Sequence, residues 1–160
     1  MSVTITSLVR GETNPQIRTD QKKVINIDFI IIGDPAATHT GDGNDERTDW
    51  TFDFTIHPVY PSFSTSQELK FARLTLMLAP KNKLITTDLV EIDGLHQIAT
   101  PIIQTLPANG RVHTVTIELL DYYCSANILE ILVRHDGQLP MKYRDDAIVS
   151  YAHLELSHAC

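Results

Sequence analysis

Residues 49–58, DWTFDFTIHP, alternate apolar and polar side chains without interruption. The apolar members fall on one face of an extended chain: Trp50, Phe52, Phe54 and Ile56. A strict period of two over this length is typical of a β-strand that buries one face and exposes the other. Pro58 and Pro61 then end the strand, because proline has no N–H group to donate to a neighbouring strand.

Seven further segments share this alternation, and each is predicted to be a strand: residues 2–9, 24–32, 69–80, 88–95, 113–123, 127–137 and 146–156. The second of them would point Ile25, Ile27, Phe29 and Ile31 inward, with Asn26 and Asp28 outward. The inward set of 69–80 is Ala72, Leu74, Leu76 and Leu78. The inward set of the last segment is Ile148, Ala152, Leu154 and Leu156.

One of these assignments competes with a helix. The stretch 126–133, ANILEILV, has local helix propensity, but it is short and the turn-forming sequence HDG follows it. We therefore expect a strand here. The chain then has about eight strands and no long segment of helical period, which predicts an all-β fold: an antiparallel β-sandwich of the jelly-roll type. Its 160 residues fit a single domain spanning 1–160.

The charge and hydropathy of the chain limit its partners. The formal net charge is −7, and the 13 lysines and arginines are scattered, so a nucleic-acid partner is not expected. The longest apolar run, FIIIG at residues 29–33, is far too short to insert across a membrane. No signal peptide is recognisable at the N-terminus, so the chain as written is expected in the cytoplasm. A trimmed extracellular protein would have the same sequence.

The two cysteines show no metal-ligand spacing. Cys124 lies in an apolar run and is expected to be a small buried hydrophobe. Cys160 is the last residue of the sequence. Whether the two form a disulfide is left open by the sequence.

The acidic segment before residue 50 is a candidate calcium site. It combines oxygen-bearing side chains with two glycines, whose flexibility lets carbonyl groups turn towards an ion. An EF-hand is excluded, because its mid-loop glycine and distal glutamate are missing. A looser site needs a carboxylate from elsewhere, and the pair before the last strand is the natural donor. The alternative, which composition alone favours, is a solvated hairpin loop. The candidate ligands are Asp42, Asn44, Asp45, Asp145 and Asp146.

A second candidate site is aromatic. Tyr122 and Tyr123 follow an aspartate at a predicted strand end, and Tyr143 precedes Arg144. An exposed tyrosine beside such polar residues can stack on a sugar ring while its neighbours bind the hydroxyl groups. Adjacent tyrosines in a strand point to opposite faces, so at most one of the first pair is available. The alternative interpretation places one tyrosine in the core and one at its edge.

Catalytic signatures are missing from the sequence. It contains neither a GxSxG nucleophile elbow nor a glycine-rich phosphate loop, and no cysteine has a nucleophile's sequence context. Pairs of carboxylates occur, but chance pairs are expected among 20 acidic residues. We therefore expect a protein that is not an enzyme.

Several segments together resemble a known class of domain. Between Trp50 and Ser157, WTFDFT, FARLTLMLAP, DLVEIDGL, HTVTIELLDYY and DDAIVSYAHLEL are similar to bacterial extracellular jelly-roll β-sandwiches. These are the carbohydrate-binding-module-like domains of PEP-CTERM-type surface proteins. The resemblance implies a sandwich fold and a structural calcium ion near Asp145 or Asp146. The chain departs from the pattern in having no export signal and no sorting segment after His158.

Three functions follow from these observations. The first is a non-catalytic module that binds a glycan or a protein partner and is stabilised by calcium. The second is a structural jelly roll that assembles with its own copies, as coat or capsid proteins do, so a homo-oligomer is open. The third is a small hydrolase built on the same scaffold.

Overall fold

The computed structural model of the chain describes residues 2–12, 23–33, 39–63, 67–85, 88–93, 95 and 101–159. Its nine strands are β1 (Ser2–Arg10), β2 (Lys23–Asn26), β3 (Phe29–Gly33), β4 (Glu46–Asp53), β5 (Leu69–Pro80), β6 (Leu89–Ile92), β7 (His113–Glu118), β8 (Gln138–Asp145) and β9 (Ala147–Ala159). Two α-helices are present, α1 (Pro101–Gln104) and α2 (Ser125–Arg134). Single 3₁₀ turns occur at Tyr60–Ser62 and Leu119–Asp121.

The strands form two antiparallel sheets, which confirms the predicted all-β sandwich. The first sheet has the order β1-β9-β5-β7 and the second the order β2-β3-β4-β8-β6. The pairs β1 with β9, β4 with β8 and β5 with β7 are nested around β6. Two further pairs, β5–β9 and β6–β8, join these nested strand pairs into two sheets. Such an order is that of a jelly roll, with the β2–β3 hairpin added beside β4.

The core lies between the inner faces of the two sheets. The predicted inward residues of β4 and β5 are buried there: Trp50, Phe52, Ala72, Leu74, Leu76 and Leu78. The rings of Phe29 and Phe52 contact the indole of Trp50 edge to face, with centroid separations of 5.6 and 6.2 Å. Ile56 does not join them, because β4 ends at Asp53 and Ile56 lies in the following turn, 88% exposed.

Segment 24–32 is a hairpin and not one strand, which corrects the prediction for Ile25 and Ile27. The chain turns at Ile27, whose φ of 56° is unusual for a β-branched residue. The side chains of Ile25 and Ile27 are 70% and 62% exposed. Asn26 is buried instead, where its amide bonds the backbone N–H and carbonyl of Glu12, both at 2.8 Å.

Residues 127–134 are helical, so the predicted strand there is wrong. The buried residues of α2, Ile128, Leu129, Ile131 and Leu132, follow the helical spacing and pack into the core. The HDG sequence caps this helix and is not a hairpin turn, since the N–H of Gly137, at φ 93°, donates to the carbonyl of Leu132. The predicted strand 113–123 is also shorter, because β7 ends at Glu118.

Strand β8 was not among the predicted strands, and Pro140 lies within it. Leu139, Met141 and Tyr143 alternate inward as a strand requires. The carbonyl of Pro140 accepts a bond from the N–H of Asp93, just beyond the last pair of the β6–β8 ladder. The N–H that proline lacks would point to that same side, so the ladder with β4 is intact.

A bulge in the β5–β9 ladder changes which residues at the start of β9 face the core. The register shifts between Met77 and Leu78, so that Leu78 pairs with Val149. Val149 therefore joins Ala152, Leu154 and Leu156 in the core cluster, which corrects the prediction for Ile148. Ile148 is still buried, beneath the loop that contains Gly43.

Candidate functional site: an aspartate cluster at one end of the sandwich

The register of β4 on β8 gathers carboxylates at one end of the second sheet. Glu46, the first residue of β4, lies opposite Asp145, the last residue of β8. Asp45 precedes one and Asp146 follows the other, so four acidic residues meet at two adjoining chain segments. Carboxylate oxygens of Asp45, Asp145 and Asp146 lie within 4.8 Å of one another. We call these three residues the aspartate cluster.

The side chain of Glu46 holds the loop before β4 in place through hydrogen bonds. The Glu46 carboxylate is buried and accepts the N–H groups of Gly41 at 2.8 Å and Gly43 at 3.1 Å. Burial raises the pKa of Glu46 to about 7, with the negative charges of Asp42 and Asp146 adding to the rise and the two glycine N–H groups opposing it. Gly43 has a φ of 82°, and a Cβ there would come within 2.8 Å of Lys81 and Ile148. Glycine is therefore required at this turn.

A second segment supports the cluster from the side of β6. Asp88 is fully buried, and its carboxylate accepts the N–H groups of Ile85 at 2.6 Å and Asp146 at 2.9 Å. Burial raises the pKa of Asp88. Asp146 in turn accepts the N–H of Asp45 at 3.0 Å, so the loops before β4, before β6 and before β9 are joined by hydrogen bonds. Asp88 was not among the predicted site residues.

No cation balances most of these charges. Among the described residues, Asp45, Glu46, Asp88 and Asp146 form no salt bridge with a lysine or arginine. A cation bound among these carboxylates would therefore be attracted by several negative charges that no lysine or arginine compensates.

The hydroxyl of Tyr143 lies beside the same group of carboxylates. Tyr143 is fully buried, and its hydroxyl has no hydrogen-bond partner among the described residues. Burial raises the pKa of Tyr143, and the charges of Asp88, Asp146 and Asp145 add to the rise, which places the phenol near all three. The Thr48 hydroxyl, on the inner face of the neighbouring strand, is likewise buried without a partner there. A buried polar group without a partner is costly, so these two hydroxyls would favour an ion or a water molecule that reached them.

The remaining predicted calcium ligands serve the loop itself. The Asp42 carboxylate accepts the N–H of Asn44 at 3.0 Å, and the Asn44 carbonyl oxygen accepts a bond from the Asn82 amide at 2.8 Å. The Asp42 carboxylate is not part of the aspartate cluster. The structure brings together three of the four predicted carboxylate ligands, from chain positions up to 101 residues apart.

The tyrosines do not form an exposed platform. Tyr143 and Tyr123 are buried, and burial raises the pKa of Tyr123 to about 12. Tyr122 is 41% exposed, and neither tyrosine of the pair lies in a strand, because the chain leaves β7 at Glu118. The guanidinium of Arg144 lies 3.3 Å from the Glu91 carboxylate.

Cys124 lies outside the core, which corrects the prediction that it is buried. It is exposed and immediately precedes α2. Cys160, with which the sequence leaves a disulfide open, lies outside the described residues. Among the residues that the structure describes, no helix has the length and apolar character needed to cross a bilayer.

No protein-family model, curated protein or solved structure matches the chain at a significant level.

Proposed function

We propose that the chain is a non-catalytic jelly-roll module that binds a glycan or protein partner and is stabilised by calcium at the aspartate cluster. The observation that carries the calcium part is the meeting of Asp45, Asp145 and Asp146 beside the buried hydroxyl of Tyr143. Calcium–oxygen distances are about 2.3–2.6 Å, so two oxygens on one ion are at most about 5 Å apart. The carboxylate oxygens of the cluster lie within 4.8 Å of one another, so one ion could contact all three residues.

The chemistry of the cluster favours calcium over softer metals. All of its side-chain ligands are oxygens, and calcium accepts six to eight oxygens in irregular arrangements, including water and backbone carbonyls. Zinc and copper sites use histidine or cysteine, which the cluster lacks. Asp45 is exposed and Asp145 and Asp146 are half-buried, so an ion can reach the site from solvent.

The partner-binding part is supported by an open groove of about 740 Å³ beside β1 and β4. Binding sites of small ligands and peptides commonly have volumes of about 300–1,000 Å³. The sandwich supports such a surface with two rigid sheets, and the groove lies apart from the aspartate cluster, whose residues do not line it.

Thermal unfolding with calcium or with a chelator tests the calcium part. A ligand at about 100 times its dissociation constant adds about 2.7 kcal/mol, which corresponds to roughly 5–10 °C in a chain of this size. The variants Asp45→Asn and Asp146→Asn should lose most of that shift, since each removes a negative charge while its amide oxygen remains. Asp121→Asn, at an exposed 3₁₀ turn, is the matched control and should keep it. An equal melting temperature with calcium and chelator overturns the calcium site.

Self-assembly into a coat is the second candidate, favoured by the exposed isoleucines of the β2–β3 hairpin. Ile25 and Ile27 present apolar surface next to one another, and such surface on a sheet edge is a contact site between copies. Sedimentation velocity distinguishes the binding module from the assembly protein. A large particle in the wild type that dissociates in the variant Ile25→Lys/Ile27→Lys would favour the assembly protein.

A further inference from the structure

The groove beside β1 and β4 lies where two strands extend past their partners. The β3–β4 ladder ends where Ile30 pairs with Asp49, so among the described residues 50–53 of β4 are paired with β8 alone. Strand β1 is the outer strand of the other sheet, and β9 is its one partner in the described part of the chain. The two free edges approach each other at one point, where the N–H of Asp53 donates to the Ser7 hydroxyl at 3.0 Å.

Unpaired strand edges can accept another extended chain. Their backbone N–H and carbonyl groups form hydrogen bonds with an added strand, while side chains next to the edge select its sequence. Leu8 and Ile56, which line this groove, are 42% and 88% exposed, so apolar contact surface is available beside the edge. The groove therefore has both elements that strand addition requires.

The charge of the groove is acidic. Four aspartates and one lysine line it. Two of these aspartates are neutralised, Asp49 by Arg47 at 2.9 Å and Asp93 by Lys142 at 3.1 Å. Asp28 and Asp53 form no salt bridge among the described residues. The Thr55 side chain and N–H both donate to Asp53 and lower its pKa, so this carboxylate is ionised at neutral pH.

We propose that the groove binds an extended basic peptide, a segment in which lysine or arginine alternates with apolar residues. Alternation matches the geometry of an added strand, which directs every second side chain to the same face. The basic side chains would lie near Asp28 and Asp53, and the apolar ones near Leu8 and Ile56. The inference rests on the proposed function, since it identifies the partner of the same binding module.

Charge argues against two other occupants. A second copy of this chain has a net charge of −7 and is repelled by the groove. A neutral glycan would leave Asp28 and Asp53 without a counter-charge, and the tyrosines proposed for sugar stacking do not line the groove. The observations therefore favour a cationic polypeptide over both.

Fluorescence titration of the full chain tests this inference. Trp50 is the single tryptophan and lines the groove, so its emission reports on occupancy. The probe is an end-blocked peptide of about eight residues in which lysine and valine alternate, the length of a typical strand. We expect it to bind, and to bind more weakly when salt is raised from about 0.1 to about 1 M, which shortens the screening length from roughly 10 to 3 Å.

Two comparison peptides separate strand addition from simple attraction of charges. Alternating glutamate and valine should not bind. Alternating lysine and valine with N-methyl groups on every second residue keeps the charge but cannot pair along one edge, so it should bind much more weakly. Equal binding of the N-methylated peptide, or any binding of the acidic one at the same concentration, overturns the inference.

The double variant Asp28→Asn/Asp53→Asn locates the site. Each exposed ion pair contributes about 0.2–1 kcal/mol, so losing both should weaken the lysine peptide roughly two- to thirtyfold. The matched control Glu68→Gln/Glu130→Gln removes two exposed charges outside the groove and should leave affinity unchanged. If both double variants bind the lysine peptide equally more weakly, the proposed location of the binding site is overturned. If no peptide binds but an oligosaccharide changes Trp50 emission, the binding module stands and the peptide inference fails.

Discussion

The substitution Tyr143→Phe gives opposite expectations for the metal-free and the calcium-bound protein. It removes one hydroxyl group from a fully buried residue and leaves the ring in place. The hydroxyl has no hydrogen-bond partner among the described residues and lies near the charges of Asp88, Asp145 and Asp146. In the metal-free protein, its removal breaks no hydrogen bond within the described part of the chain.

The magnitude follows from the cost of burying a polar group. A buried hydroxyl without a partner costs about 1–3 kcal/mol. Replacing it with a hydrogen atom should therefore raise the free energy of unfolding of the metal-free protein by about 1–2 kcal/mol. For a chain of this size the gain corresponds to a melting temperature roughly 3–6 °C higher. With calcium bound, the gain should disappear, because the wild-type hydroxyl then binds the ion or a water molecule held by it.

Urea unfolding, with chelator and with saturating calcium, measures both differences. Tyr123→Phe is the control, because Tyr123 is also buried but its hydroxyl accepts the N–H of Ile92 at 3.4 Å. Losing that bond should destabilise the protein by about 0.5–1.5 kcal/mol in either condition. A metal-free Tyr143→Phe protein that is less stable than the wild type refutes the reasoning, since the hydroxyl must then have a partner in the folded protein.

Three further predictions test the loop, the buried acid and the surface. Gly43→Ala should lower the free energy of unfolding by about 1–3 kcal/mol in thermal or urea melts, because its Cβ would contact Ile148 and its φ is positive. In chelator, raising the pH from about 4.5 to about 7 should lower the free energy of unfolding of the wild type by on the order of 3 kcal/mol more than that of Glu46→Gln. The reason is that Glu46 keeps its proton over this range in the folded protein, whereas the unfolded chain loses it. A free energy of unfolding that falls less in the wild type than in Glu46→Gln contradicts this prediction. In a Cys160→Ser background, Cys124 should react with Ellman's reagent in the folded protein as fast as in urea; a protected thiol would contradict its exposure.

Much of the sandwich was predictable, because most of its strands bury one face. Segment 69–80 matches β5 at both ends, since its alternation is regular and its polar residues all point outward. The hairpin at Ile27 was not predictable in the same way. Its turn uses isoleucine at positive φ, where Asn-Gly or Asp-Gly would be the usual signal. Apolar and polar residues therefore alternate without a break over residues 24–32, although the chain reverses direction within this segment.

Helix α2 and strand β8 were missed for reasons that the sequence does contain. Buried positions at 128, 131 and 132 follow the spacing of a helix, and Glu130 forms an i,i+4 salt bridge with Arg134. The shortness of this segment and the HDG sequence after it nevertheless favoured a strand. Pro140 lies within β8, where proline is unusual in an inner strand. Its carbonyl and the side that lacks an N–H both face the end of β6, so the pairing of β8 with β4 is intact.

The candidate metal ligands were predictable as residue types, but their selection depended on tertiary register. Asp42 and Asp45 belong to the same loop, and only Asp45 reaches Asp146 across the sheet end. The burial of Tyr143 beside the aspartate cluster could not be foreseen, because it depends on β8 lying between β4 and β6 in the second sheet.

The jelly-roll topology explains why an ion at this position would affect the whole sandwich. Nested pairing brings the start of β4 beside the end of β8, although Asp45 and Asp146 are 101 residues apart. The free energy of closing a loop rises only slowly with its length, so a single ion can close this long loop at little more entropic cost than a short one. The loop it closes contains β4 to β8, and β9 begins at the next residue. A calcium ion bound by Asp45 and Asp146 would therefore hold together the segments that begin β4 and β9, and its binding free energy would add to the stability of the folded chain.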